Sequence, residues 1–179
     1  MDFSIFLPET FLLLTALIFF ALTLWKASPD TIQGLAFFLT AVGLVISLFS
    51  INVSGEMFYR SYRVDLFSQI FKCLISLGFF LVVVLSHKLK SIEERLQPEF
   101  FMFLSLSALG LMLLVSSVEL LTIFISMELS SYSIYVLIPV RNQAGGNPME
   151  AAIKYIIFGA AATGVMIFGM SYVFGVSQS

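Results

Sequence analysis

Six long apolar runs organise the chain, at roughly residues 7–26, 32–52, 66–86, 99–117, 119–140 and 150–174. Each is long enough to cross a ~30 Å hydrocarbon layer at about 1.5 Å of rise per residue, so the pattern predicts six transmembrane helices. Barrel strands would alternate apolar and polar positions over about ten residues, and no such alternation recurs. The fold class expected is therefore all-α and polytopic. The breaks have local causes. Ser28-Pro29-Asp30 ends the first run, Pro98 precedes the fourth, and the stretch from Asn142 to Pro148 separates the fifth from the sixth. Between the fourth and fifth, only Ser116, Ser117 and Glu119 interrupt, which demands a tight turn.

Loop charge gives an orientation. Lys26, Lys88, Lys90, Arg95 and Arg141 follow the odd-numbered spans, whereas only Arg60 and Arg63 lie on the other side. The positive-inside rule then places both termini on the outer side. The segment before the first span carries Asp2 and Glu9 but no basic residue, unlike a secretory signal, so that span is read as a retained helix. Trp25 beside Lys26, and His87 with Lys88 and Lys90, read as interface anchors. Residues 89–97 alternate apolar and charged positions at helical spacing, which suggests a short amphipathic stretch.

Composition narrows the function classes. The chain is 59% apolar and 11% charged, with a net charge of −2, so it offers no basic surface for nucleic acid. One cysteine, Cys73, and one histidine, His87, cannot supply a disulfide framework or a zinc, haem or iron–sulfur site. No cofactor is expected on this chain, and any redox chemistry belongs to partners. Cys73 is read as a small packing residue.

Ionisable groups inside spans are expensive and normally face a bundle interior, a partner or a water path, and three candidates stand out: Glu128, Lys154 and Lys72. Glu128 lies about 18 Å from the far end of its helix, too deep for a short carboxylate to reach either surface. Ser131, Tyr132 and Tyr135 follow it at i+3, i+4 and i+7, a row of hydroxyls able to organise water. A protonated carboxyl that merely joins helices is the plainer alternative. Lys154 follows Glu150 at i+4, near the start of the sixth span; an interfacial anchor and a proton relay both fit. The run from Gly159 to Gly164 holds small residues at spacings that admit another helix closely. Lys72 lies ~9 Å into the third span, where it either extends to the outer interface, near Asp65, or is a buried functional charge.

The run Thr122-Ile123-Phe124-Ile125-Ser126-Met127-Glu128-Leu129-Ser130-Ser131-Tyr132, with Glu150-Ala151-Ala152-Ile153-Lys154-Tyr155, resembles the antiporter-like membrane subunits of proton-pumping NADH:quinone oxidoreductase, respiratory complex I. Leu7-Pro8-Glu9 and the stretch from Arg63 to Lys72 look most like its subunit N branch, in the N-terminal part. The resemblance implies that Glu128 and Lys154 serve the proton path, with Lys72, Ser131 and Tyr132 as further candidates. It implies membrane-arm subunits and the lipid bilayer as partners, with NADH, FMN, iron–sulfur clusters and quinone on partner subunits, in an energy-transducing membrane such as the bacterial inner membrane. Residues 1–98 would then hold the three N-terminal transmembrane helices with their loops, and 99–179 helices four to six, the incomplete first antiporter-like repeat. The family has about fourteen helices against the six that fit here at ~20 residues each. The chain stops before the broken seventh helix, so in isolation it is expected not to pump, whether it is a fragment, a split-gene piece or a truncated product. A subunit of a multisubunit Na⁺/H⁺ antiporter and a non-pumping assembly piece are the competing readings.

Overall fold

The computed structural model describes residues 3–25, 28–86, 92–140 and 148–177. Six helices carry the architecture: α1 (Leu7–Trp25), α2 (Pro29–Phe49), α3 (Leu66–Ser86), α4 (Gln97–Ser116), α5 (Leu120–Val140) and α6 (Pro148–Ser177). All six are long and apolar enough to cross a membrane. Proline marks four of their starts: Pro8, Pro29, Pro98 and Pro148 each sit in the first two helical positions, where the missing N–H is not needed. The expected tight turn between α4 and α5 is present, at Ser117–Glu119. The sixth helix is longer than the predicted run, at 30 residues.

One element departs from the all-helical expectation. Between α2 and α3, β1 (Gly55–Met57) pairs antiparallel with β2 (Tyr62–Val64), in the register Gly55↔Val64. No alternating pattern announces strands this short. The turn joining them holds Phe58, Tyr59 and Arg60, all with positive φ (52°, 54° and 73°), a conformation that L-residues rarely adopt. Neighbouring contacts hold the hairpin in place. Tyr62 bridges to Ser117, the Val118 amide donates to the Ser61 carbonyl, and the Ser61 hydroxyl donates to Glu119 Oε2 at 2.7 Å. The hairpin is thus strapped to the α4–α5 turn, at the same end of the bundle as the start of α1.

The interior follows the logic of a lipid-facing protein. Leu17, Phe38, Leu77 and Phe158 point outward, while many buried positions are small and polar. Ser47 meets Ser76 at 2.6 Å between α2 and α3, and Ser107 meets Ser130 at 3.0 Å between α4 and α5. Gly110 lets α4 and α5 approach so closely that an added Cβ would lie 2.6 Å from the Ser130 amide nitrogen. Phe19, Ile32, Phe101 and Met112 fill the centre. The Cys73 thiol donates to the Ser47 carbonyl at 3.2 Å, in keeping with a packing role.

The interface-anchor reading meets the structure in part. Trp25 ends α1 and is exposed. Lys26, His87, Lys88, Lys90 and the loop with Arg141 lie outside the described residues. Of the amphipathic stretch 89–97, residues 89–91 also lie outside them, and Glu94–Leu96 form a single 3-10 turn leading into α4.

Candidate functional sites in the helix interior

Among the described residues, two separate groups of ionisable side chains stand out in the bundle. The first is built on α5. Glu128 is 7% exposed, and its Oε1 accepts a hydrogen bond of 2.8 Å from the Thr163 hydroxyl on α6. Its Oε2 is buried without a partner. A carboxyl with one fixed oxygen and one open oxygen can take up a proton without losing its anchor. Thr163 was not among the residues singled out from sequence. A threonine in a span most often bonds its own backbone, so its type alone gives no signal.

The tyrosines expected beside Glu128 pack on one another and on a third from α6. Tyr132 stands one turn after Glu128 on α5 and is largely exposed in this chain. The Tyr132 ring packs on Tyr135 at 5.8 Å, and Tyr135 packs on Tyr155 of α6 at 5.3 Å. The Tyr135 hydroxyl rests against Gly159, whose missing side chain makes room for it. Ser131 is half-buried on the same helix. The α5–α6 seam is therefore lined by phenols from both helices, and Tyr155 joins the row that the α5 spacing predicted.

Lys154 pairs with Glu150 at 2.5 Å, as the i,i+4 spacing predicts, and both side chains are mostly exposed in this chain. It stands nine residues from Thr163, about half a turn round α6 and ~13 Å along it, so this chain does not bring Lys154 and Glu128 together. Among α6 residues only Ala152 is buried. Gly164 and Gly169 face open space, leaving most of the small-residue stripe uncovered.

The second group overturns the interfacial reading of Lys72. Lys72 is fully buried, and its Nζ lies 2.6 Å from Oε1 of Glu9, also fully buried. The ammonium reaches no surface because α1 and the hairpin cover it. The Tyr62 hydroxyl of β2 donates to the same Glu9 oxygen at 2.6 Å, and its ring centroid lies 5.3 Å from Lys72 Nζ. Burial and the Glu9 charge push the Tyr62 phenol far above its usual range, so it remains a donor. Asp65, the partner expected from sequence, instead caps α3: its Oδ1 accepts from the Ser68 amide, and the Ser68 hydroxyl accepts from the Asp65 amide, each at 2.9 Å. From sequence, Glu9 entered only as an acidic residue near the first span and as part of the Leu7-Pro8-Glu9 resemblance, not as a candidate site residue. Only the fold shows that it faces inward.

Residues 117–179 match the family described as NADH:quinone oxidoreductase/Mrp antiporter, transmembrane. The likeness continues over nearly the whole chain. It is 42% identical over 180 residues to NADH-quinone oxidoreductase subunit N 2 of Opitutus terrae, covering 99% of this chain and 38% of that protein. It is 43% identical to the protein of the same name from Syntrophobacter fumaroxidans, with the same coverage. To subunit N of Geobacillus kaustophilus it is 33% identical, over 98% of this chain and 36% of that one. A solved structure of respiratory complex I from Thermus thermophilus contains a chain that superposes with a TM-score of 0.79 at 26% identity, covering 96% of this chain and 37% of its own. A chain of an archaeal membrane-bound sulfane sulfur reductase complex superposes with a TM-score of 0.79 at 19% identity, covering 97% of this chain and 37% of its own. The chain thus spans little more than a third of the length of these relatives and aligns with a polytopic membrane-subunit fold.

Proposed function

We propose that this chain forms part of a proton-translocating membrane-arm subunit of an NADH:quinone oxidoreductase, in which Glu128 is the intramembrane carboxyl that exchanges protons. The observation that carries the reading is the Glu128 carboxyl itself, buried at mid-helix with Oε1 held by Thr163 and Oε2 open. An ionisable group in that position is expensive, and such groups characteristically mark ion or proton pathways. The full-length relatives named above are oxidoreductase subunits, which favours this reading over a Na⁺/H⁺ antiporter. The adjacent phenols of Tyr132 and Tyr135, with Ser131, provide the path that would supply the carboxyl from one side. Lys154 stands where a neighbouring helix would bring it into play, its ammonium still within reach of Glu150.

Proton exchange at Glu128 follows from electrostatics. Withdrawing a nearby positive charge favours the neutral carboxyl, and bringing it back favours the carboxylate, so moving a charge drives uptake and release of one proton. Electron transfer from NADH to quinone takes place on other subunits, which hold FMN and iron–sulfur clusters. The chain sits in the bacterial inner membrane with the α1 start and the hairpin on the outer side. The test is Glu128→Gln in the complete complex, with protons translocated per NADH oxidised as the readout. Loss of stoichiometry with normal assembly supports the assignment, and wild-type stoichiometry refutes it.

A further inference from the structure

The Glu9, Lys72 and Tyr62 group lies outside the Glu128 seam, and nothing in the mechanism above uses it. Its geometry is unusual for a structural ion pair. Lys72 Nζ and the Tyr62 hydroxyl converge on a single oxygen, Glu9 Oε1, each at 2.6 Å. Glu9 Oε2 is left buried without a partner, and Lys72 Nζ makes no well-aligned hydrogen bond. Gln69, one turn before Lys72, donates its Nε2 to the Val53 carbonyl and leaves its own Oε1 buried and unpartnered. A pair that existed only to join helices would gain by engaging both carboxylate oxygens, because an unsatisfied buried acceptor is costly.

We infer that Glu9 and Lys72, closed over by Tyr62, form a second proton-exchange site near the hairpin end of the bundle. This rests on the proton-translocation reading above and adds a group to it. In the resting state the pair is Glu9 carboxylate with Lys72 ammonium, and its net charge is zero. Loading adds one proton to Glu9 Oε2, giving the carboxylic acid beside the ammonium with one excess positive charge. Unloading passes that proton from Glu9 Oε2 to water at the hairpin end and restores the ion pair. Throughout, the Tyr62 hydroxyl and Lys72 stay on Oε1, so the site cycles without rearranging its anchors. Its place beneath the hairpin puts it within about two helical turns of that end of the bundle.

The test uses the complete membrane complex carrying this chain, in sealed vesicles, with protons moved per NADH oxidised as the readout and assembly measured in parallel. The Glu9→Gln/Lys72→Met double variant removes both charges together and is expected to assemble. It should lose stoichiometry to the extent that Glu128→Gln does. Wild-type stoichiometry in the double variant while Glu128→Gln loses it overturns this inference alone. Wild-type stoichiometry in both overturns the parent reading as well. Should the double variant fail to assemble, Tyr62→Phe decides, since it keeps the ring over Lys72 and deletes only the hydroxyl. A reduced proton count, with a shifted carboxylic-acid band in the infrared difference between resting and NADH-energised complex, supports the site. An unchanged count and spectrum refute it.

Discussion

Glu9 on α1 and Lys72 on α3 meet at 2.6 Å with neither side chain reaching any surface. Removing one partner strands the other as a buried charge, whereas removing both removes the problem. Lys72→Met alone is therefore expected to destabilise the chain by about 3–5 kcal/mol, with Glu9→Gln/Lys72→Met recovering most of that loss. Unfolding of the single and double variants in detergent, read as a double-mutant cycle, checks this. Simple additivity of the single effects would mean that the two side chains are not coupled.

The contact of α4 with α5 leaves no room at Gly110. An added methyl meets the Ser130 amide nitrogen at 2.6 Å and the Ser126 carbonyl at 2.9 Å, both backbone atoms that cannot rotate away. Gly110→Ala is expected to cost about 1–3 kcal/mol, as overpacking of a tight interface does. At Gly159 the obstacle is only the Tyr135 side chain, so truncating that residue should rescue Gly159→Ala, whereas truncating Ser130 should not rescue Gly110→Ala. Thermal unfolding of the four variants distinguishes the two cases.

Thr163 supplies the hydroxyl that holds Glu128. Thr163→Val preserves shape and deletes the donor, worth about 1.5–3 kcal/mol for a bond to a charged acceptor. Proton translocation in the complex should slow about tenfold or more, at the ~1.4 kcal/mol per factor of ten that links energy to rate. Thr163→Ser should stay near wild type. Equal rates for Val and Ser at this position would show that the hydroxyl plays no part.

The Glu150–Lys154 pair is short but mostly exposed. Solvent screening keeps such i,i+4 pairs at about 0.3–0.5 kcal/mol, so Glu150→Gln should shift the unfolding midpoint of the chain very little. A loss of several kcal/mol would mean that the pair is buried against another helix of the chain.

At the start of α3, hydrogen bonding from Ser68 holds the Asp65 carboxyl below its ordinary value of 3.8. A carboxyl depressed in the folded state contributes stability above its unfolded value and loses it as pH falls through the folded one. The cap should therefore be intact at neutral pH and weaken only in acid below about pH 4. Asp65→Ala should cost ~1 kcal/mol at neutral pH and Asp65→Asn less, since the amide oxygen still accepts. Helicity of α3, followed by circular dichroism against pH, reads both effects.

The six helices were legible because lipid imposes one rule on every spanning segment, and prolines mark where most segments start. Glu128 was legible for the same reason: a lone carboxyl in an apolar run has no surface to reach. What joins these elements was not. The Thr163 contact, the Tyr155 ring and the inward face of Glu9 each depend on how two helices rotate against one another, and periodicity says little where nearly every residue is apolar. Lys72 shows the cost of reading depth alone. At ~9 Å from the helix start a flexible amine has two outcomes, and only the hairpin above it decides which one occurs. The hairpin itself is three residues per strand, below the length at which alternation can be recognised.

The open flank of α6 has a further consequence. This helix brings the hydroxyl that holds Glu128, yet it is seated mainly on α5, with a single residue fully enclosed. Because Thr163 and Glu128 sit on the facing edges of the two helices, sliding α6 along α5 by a single turn, about 5.4 Å, would carry the hydroxyl out of reach of the carboxyl, so the seating of one helix on the other sets whether the acid is held at all.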